Sequence, residues 1–418
     1  MSDDVTGKQV EVAVLGAGIV GVSAGVAARQ RGLSVVVIDR REPGSETSYG
    51  NAGILSSGSI LPLNKPSLWR ALPGYLSNTS AALRWDPLWV MRNLDWVARF
   101  LANAVPSRTR PRAIALHGLI NASLKLHREW IVKADAGQRI RETGWLKAWR
   151  SDATEAAKQE QAFLAEFGIE SRLLDRQAIS ALEPNILPVY KTGLLHTRTA
   201  SVDSPGAVTK AYARMLKGLG GEVRQSDIRA IESRDGSWRV VLGDGAISAR
   251  HVVVALGPWS ADLLRPLGYR VPLAVERGYH QEFAPNPARG LQRPIHDAEG
   301  SFLMTPMENG IRVTSGVELT DRDAPSSFAQ LDMVVPMARG VVEFGAAVAE
   351  PWRGARPTLP DSLPVIGPAP RHPGLWLAFG NQHIGFTTGP ATGDAIAAMI
   401  SGEKPDFDAS AFAPGRYL

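Results

Sequence analysis

Two constellations in this 418-residue chain hold side chains whose types and spacing can do chemistry. Near the N-terminus, Gly16, Gly18 and Gly21 form G-x-G-x-x-G between the apolar run VEVAVL and an Ala-rich stretch. Such glycines serve a tight turn, a close backbone approach to a pyrophosphate, and close helix–strand packing. Asp39 closes the next apolar run, SVVVID, where a carboxylate can take two ribose hydroxyls. The same charge argues against NADP, whose extra phosphate it would repel. Near the C-terminus, RGARPTLPDSLPVIG (353–367) presents Arg356 from a stretch stiffened by three prolines. Pro357 pushes Arg356 toward extended geometry, and the density of Pro and Gly resists both helix and long strand. A guanidinium mounted this stiffly can grip a carboxylate with two parallel charge-assisted bonds. The competing reading is a surface loop whose arginine points at water.

These residues need elements to position them. QVEVAVL reads as a buried strand, followed by the glycine turn, a helix from about Val20 to Arg31, and a second buried strand. From Leu61 to about Arg150 the sequence reads as helical and rich in Trp and Arg. A further α/β stretch runs from about Ser201 to Leu267, and 271–350 alternates as antiparallel strands do. The C-terminus returns to strand, glycine loop and helix, the helix starting near Pro390. The expected fold is α/β (α+β overall). A Rossmann-like dinucleotide-binding domain is assembled from 1–60, 190–270 and 352–418. An inserted domain on an antiparallel sheet plus helices takes 61–189 and 271–351.

Composition narrows the chemistry. The chain has 44% hydrophobic and 21% charged residues and a formal net charge of +5, the profile of a folded protein that can meet anionic partners. It has no cysteine, which excludes disulfides, Fe–S clusters and thiol nucleophiles. Its eight histidines never fall three to five apart, so no local metal-ligand pair is expected. The acidic start, MSDDVTGKQV, does not read as a secretory leader, and the expected location is cytoplasmic. No nucleic-acid partner is expected.

The blocks GAGIVG, ETSYGNAG, ALGPWSADLL, VERGYH, WRGARPTLPDSLPVIG and GNQHIGFTTGPATG occur in that order along the chain. Together they resemble the D-amino-acid-oxidase-like family of FAD-dependent oxidoreductases. The nearest look is to bacterial D-amino acid dehydrogenases and their hydroxyproline- and glycine-oxidising relatives. The resemblance implies FAD held by Gly16, Gly18, Ile19, Val20, Gly21, Asp39, Arg40, Thr47, Ser48, Asn51, Ala52 and Gly53. Further along, it implies contacts from Ile228, Gly257, Gly354, Gly380, His383, Gly385, Phe386 and Thr387. Attachment is expected to be non-covalent, since cysteine is absent and no histidine lies in ETSYGNAG.

The resemblance also implies that Arg356 binds the substrate α-carboxylate over the flavin, which would fix Cα for hydride transfer. Many relatives add a tyrosine from the inserted sheet, but SFLMTP offers only Phe302 and Leu303 at that place. Tyr279 and His280 are the nearest polar candidates, each against a packing role, and His383 is a candidate substrate contact. Glycines 380, 385 and 389 suit a backbone close to the flavin. The expected substrate is a D-amino acid or a proline-like imino acid, oxidised to the imine, with no residue obliged to act as base. Alternatives are 2-hydroxy acid oxidation, a soluble oxidase using oxygen, and a flavin-binding subunit without turnover.

Between Leu61 and Arg112, Trp69, Trp85, Trp89 and Trp96 stand among eight Lys/Arg and only Asp86 and Asp95. One helix, capped by Asp86 with Pro87 first, would put Val90, Leu94, Val97 and Leu101 on one face. Trp89, Asn93, Trp96 and Phe100 would line the next. This suits an interfacial helix on an anionic membrane, the inner face of the cytoplasmic membrane, with a quinone as acceptor. The alternative buries those tryptophans against the second domain.

Overall fold

A computed structural model describes residues 9–234, 236–286 and 290–418; residues 1–8, most of the acidic start discussed above, lie outside them.

Apolar strands with no polar alternation must be covered on both faces, and the first sheet obeys this. Its eight strands include the parallel set Glu222–Gln225, Val35–Asp39, Gln9–Leu15 and Gly245–Val254. Leu375–Phe379 joins the last of these in parallel, and the antiparallel strands Ser237–Leu242 and Ile228–Arg234 finish the other edge. Helix Ile19–Gln30 lies against helix Gly385–Ile400. Their contact is so close that a Cβ on Gly393 would sit 2.3 Å from the Ala24 amide nitrogen.

The second sheet has ten strands and alternates side-chain direction, so its two faces differ in chemistry. Leu146, Ile295, Met304, Ile311 and Val313 form one apolar core with Leu331 and Val334 of helix Ala329–Arg339. The opposite face carries Gly278, His280, Thr314 and Arg356, all of which border one cavity.

Several expectations are corrected here. The Arg356 segment is a strand, Trp352–Thr358, paired with Ala274–Phe283. It tolerates Pro357 because it is paired on one side only, so the missing N–H breaks no ladder bond on its open edge. The strand therefore belongs to the second sheet, as does Thr192–His196, which pairs with Trp145–Trp149. Helix Pro106–Lys133, expected in the inserted domain, instead shares the core of the first sheet's helices. The stretch 61–150 also contains strands Leu83–Trp85, Ile140–Arg141 and Trp145–Trp149.

The expected single helix after Asp86 is two, Pro87–Arg92 and Leu94–Ala102, broken at Asn93. The Asp86 cap holds, its side chain accepting from the Leu88 N–H. Trp89 and Trp96 face inward on Ala274, with Val90, Val97 and Phe100 around them. The outward apolar residues are Leu88, Met91 and Leu94. The C-terminal helix begins at Gly385, not near Pro390.

Candidate active site

A cavity of about 410 Å³ runs between the two sheets. One end is built by the glycine turn. Gly16 has φ +109°, and a Cβ there would lie 2.4 Å from the Ala255 carbonyl oxygen. A Cβ on Gly21 would lie 1.9 Å from the Gly16 oxygen, so Gly21 serves packing and lies outside the cavity wall. Gly18 caps helix Ile19–Gln30 without a side chain, and the first turn holds no acid. Apart from the Ile19 N–H, which Ser48 Oγ accepts at 2.9 Å, amides of that turn stay open to an anion. Asp39 accepts from Ala17 N–H at 2.7 Å and from Arg41 N–H at 3.0 Å. Each oxygen keeps a lone pair, and the carboxylate borders the cavity. Arg40 stacks over Trp259 at 4.4 Å beside it.

The glycine cradle, the open helix end and the placed carboxylate suit the pyrophosphate and ribose of FAD. Ile19, Val20, Thr47, Ser48, Asn51, Ile228, Gly257, Gly354, Gly380, Gly385 and Phe386 also border the cavity. Ala52, Gly53 and Thr387 do not. Gly53 instead accepts from the Val202 N–H at 2.8 Å, and the Thr387 hydroxyl donates to the Ile54 carbonyl at 3.0 Å. Gly389 meets Ile19 across the helix pair rather than the cavity.

The loop 46–53 is clamped to the second sheet. Arg312, ion-paired with Glu282 at 2.5 Å, donates to the carbonyls of Tyr49 (2.9 Å) and Asn51 (2.6 Å). The Thr47 hydroxyl donates to the Ala355 carbonyl at 2.9 Å. The position of Arg356 is thereby tied to the nucleotide loop.

At the far end Arg356 crosses over Gly278, where a Cβ would lie 2.3 Å from its Nη2. Its one described hydrogen bond goes to the Gly316 carbonyl at 3.4 Å. Most of its donors are therefore free to meet a ligand in the cavity. Burial lowers its proton affinity, and Glu276 opposes that shift. His280 stacks on Trp352 at 5.0 Å and 20°, and burial followed by Arg312 holds its ring neutral, down to about 2. His383 presents its open surface to the cavity, and enclosure there, with Arg356 nearby, lowers it to about 4. Both imidazoles are neutral near pH 7.

Tyr279 is the departure. Its neighbours along the strand, Gly278 and His280, face the cavity, and alternation turns its ring to the other side. There its hydroxyl bonds Glu318 and Arg277 and accepts from the Ser327 N–H at 3.1 Å. Tyr279 is among the residues bordering the cavity, but its hydroxyl is engaged by Arg277, Glu318 and Ser327 rather than turned toward Arg356. Sequence reasoning missed Trp352, Thr314 and Gly278, which border the cavity. Of these, Gly278 inside VERGYH and Trp352 at the head of WRGARPTLPDSLPVIG lay in legible blocks, and Thr314 carried no local signal. Among the described residues no cluster of metal-ligating side chains occurs.

A family model described as FAD dependent oxidoreductase (DAO) matches residues 11–399. A protein named D-amino-acid oxidase from Bradyrhizobium diazoefficiens is 29% identical over 418 residues, covering 97% of this chain and 99% of that one. A D-amino acid dehydrogenase from Chromohalobacter salexigens is 30% identical over 425 residues, with 97% and 99% covered. The solved L-proline dehydrogenase of P. horikoshii superposes with a TM-score of 0.77 at 16% identity, covering 98% of each chain.

Proposed function

Because the chain belongs to the DAO family of FAD dependent oxidoreductases, we propose that it oxidises a D-amino acid, or a proline-like imino acid, at Cα. FAD, when bound, supplies the hydride acceptor. The observation that carries the substrate class is Arg356: a half-buried guanidinium on a strand, with no acceptor among the described residues but a distant carbonyl, facing the cavity end remote from Asp39. A carboxylate satisfies it better than water, because both oxygens can accept from the fork in one plane.

With the carboxylate held there, the rest of the substrate would share the cavity that Trp352, His280 and Thr314 also border. His383, neutral, can accept a hydrogen bond from the substrate amine without repelling an ammonium. With the substrate amine neutral, its proton already lost to solvent, no side chain must act as base at Cα. That hydrogen would leave with the C–H bonding pair as hydride, the nitrogen lone pair would form the C=N bond, and the imine would hydrolyse in water. The names of the curated relatives favour the D-series.

A quinone or another non-oxygen acceptor is our reading for the second half-reaction, met at an anionic membrane surface. Leu76, Leu88, Met91 and Leu94 are each at least 60% exposed, and Trp69 and Arg70 stand out beside them. The Trp69 indole donates to Ala104 O and the Trp85 indole to Tyr75 O, which holds these short helices together. No helix among the described residues is long and apolar enough to cross a membrane.

The deciding experiment is anaerobic mixing of the holoenzyme with D- and L-amino acids, proline analogues and 2-hydroxy acids. Flavin bleaching by a D-amino or imino acid, with ammonia or a cyclic imine as product, supports the reading. Bleaching by 2-hydroxy acids alone, or by none of the panel, rejects it.

A further inference from the structure

Glu276 and Arg356 are cross-strand partners in the register of Ala274–Phe283 with Trp352–Thr358. Directly opposed residues share a face, so the carboxyl stands behind the guanidinium that faces the cavity. Glu276 is 4% exposed and does not border the cavity, and its Oε2 has no hydrogen-bond partner. No ion pair within 4 Å joins the two side chains among the described residues. Arg356 thus has one acidic neighbour on its own face, too distant to saturate it and too buried to be replaced by water.

We propose that Glu276 is the resident counter-ion of Arg356 and takes up a proton from solvent when a carboxylate ligand occupies that guanidinium. The inference rests on the reading of Arg356 as the carboxylate anchor. Two anions beside one half-buried cation, one of them fully enclosed, cannot both stay ionised at low cost. A carboxylate arriving on the cavity side therefore raises the proton affinity of the carboxyl behind. Burial already pushes Glu276 up to about 7, against the pull of Arg356. Its charge can change near neutrality.

The surrounding groups do not share that role. Arg277 and Glu318 pair on the opposite face of the sheet, and Arg353 donates to the Ala324 carbonyl. Glu282 is paired with Arg312. His280 and His383, the remaining titratable groups toward Arg356, are neutral from well below pH 7 upward. From helix Leu94–Ala102 it is Trp96 that reaches this region, while Asp95 and Arg99 pair in solvent. Glu276 acts through Arg356 and is a positioning residue.

The test uses the holoenzyme and propionate, which carries no group titrating between about pH 6 and about pH 9. Binding is read from the flavin spectrum, and proton uptake by calorimetry in buffers of different ionisation enthalpy. In the wild type, Kd should stay level below the Glu276 pKa and weaken toward about tenfold per pH unit above it, with uptake approaching about one proton. Glu276→Gln should bind propionate with a flat pH profile and no uptake. A flat wild-type profile without uptake overturns the inference, and so does uptake that survives in Glu276→Gln. The wild-type calorimetry decides alone if that variant does not fold. Arg356→Ala separates the two layers: undiminished propionate binding there rejects the anchor itself. Lost binding there, with no uptake in the wild type, rejects only the role of Glu276.

Discussion

His127 Nε2 donates to the Phe386 carbonyl at 2.8 Å, the carbonyl orphaned because Pro390, four residues on in helix Gly385–Ile400, has no N–H. On the other side of the ring, Nδ1 accepts from the Tyr212 hydroxyl at 3.0 Å. The tautomer is fixed by these partners, and full burial lowers the ring to about 4. The proline is thus accommodated inside the helix by a side chain from helix Pro106–Lys133, directly beneath Phe386 in the cavity wall.

From this follows a stability prediction. His127→Ala should cost about 2–4 kcal/mol, from a cavity plus two stranded polar groups. In the wild type the folded ring binds its proton less readily than the unfolded one. Its contribution is whole above about pH 6.5 and is lost as pH falls toward about 4, up to roughly 3 kcal/mol. Urea unfolding across that range should show the decline. A variant whose stability falls equally steeply would assign it elsewhere.

Arg356→Ala should weaken substrate binding and positioning by about 2–5 kcal/mol with flavin content unchanged. Arg356→Lys should recover little, because a point charge cannot reproduce the fork. Gly278→Ala should give a milder form of the same defect, since the new Cβ meets Arg356 Nη2 at 2.3 Å and displaces it. Normal kcat/KM in a flavin-loaded Arg356→Ala would contradict all three.

Arg312→Ala should be far more damaging than its distance from Arg356 suggests. It leaves Glu282 buried without its ion pair and releases the Tyr49 and Asn51 carbonyls. A loss of about 3–5 kcal/mol in stability is expected, together with weaker FAD retention. Equilibrium unfolding and the flavin-to-protein absorbance ratio measure both.

Acid precipitation should leave all yellow colour in the supernatant, because the chain has no cysteine and no histidine in 46–53. Colour in the pellet would mean a covalent link.

Replacing Leu88, Met91 and Leu94 with serine should abolish co-sedimentation with anionic vesicles while leaving flavin reduction intact, since these side chains are exposed. Trp89 and Trp96 are buried and should matter for folding instead. No vesicle binding by the wild type, with fast reoxidation by oxygen, would make the enzyme a soluble oxidase.

The nucleotide end of the site was legible in the linear sequence because its determinants are local. Strand, glycine turn, helix and acid lie within Gln9–Asp39, and Gly21 answers a steric demand from Gly16 inside that unit, although the Ala255 carbonyl that crowds Gly16 comes from far along the chain. Arg356 was legible for a similar reason, as a charge in a stretch of restricted φ. What surrounds it was decided only by long-range strand pairing. Register opposes Glu276 to Arg356 across a sequence separation of eighty residues. Alternation turns Tyr279 away while it turns His280 inward, and pairing carries Trp352–Thr358 into the second sheet. The burial of Trp89 and Trp96 depends on Ala274 arriving beneath them. A helical stripe in sequence shows which residues share a face, whereas only packing decides which face meets water.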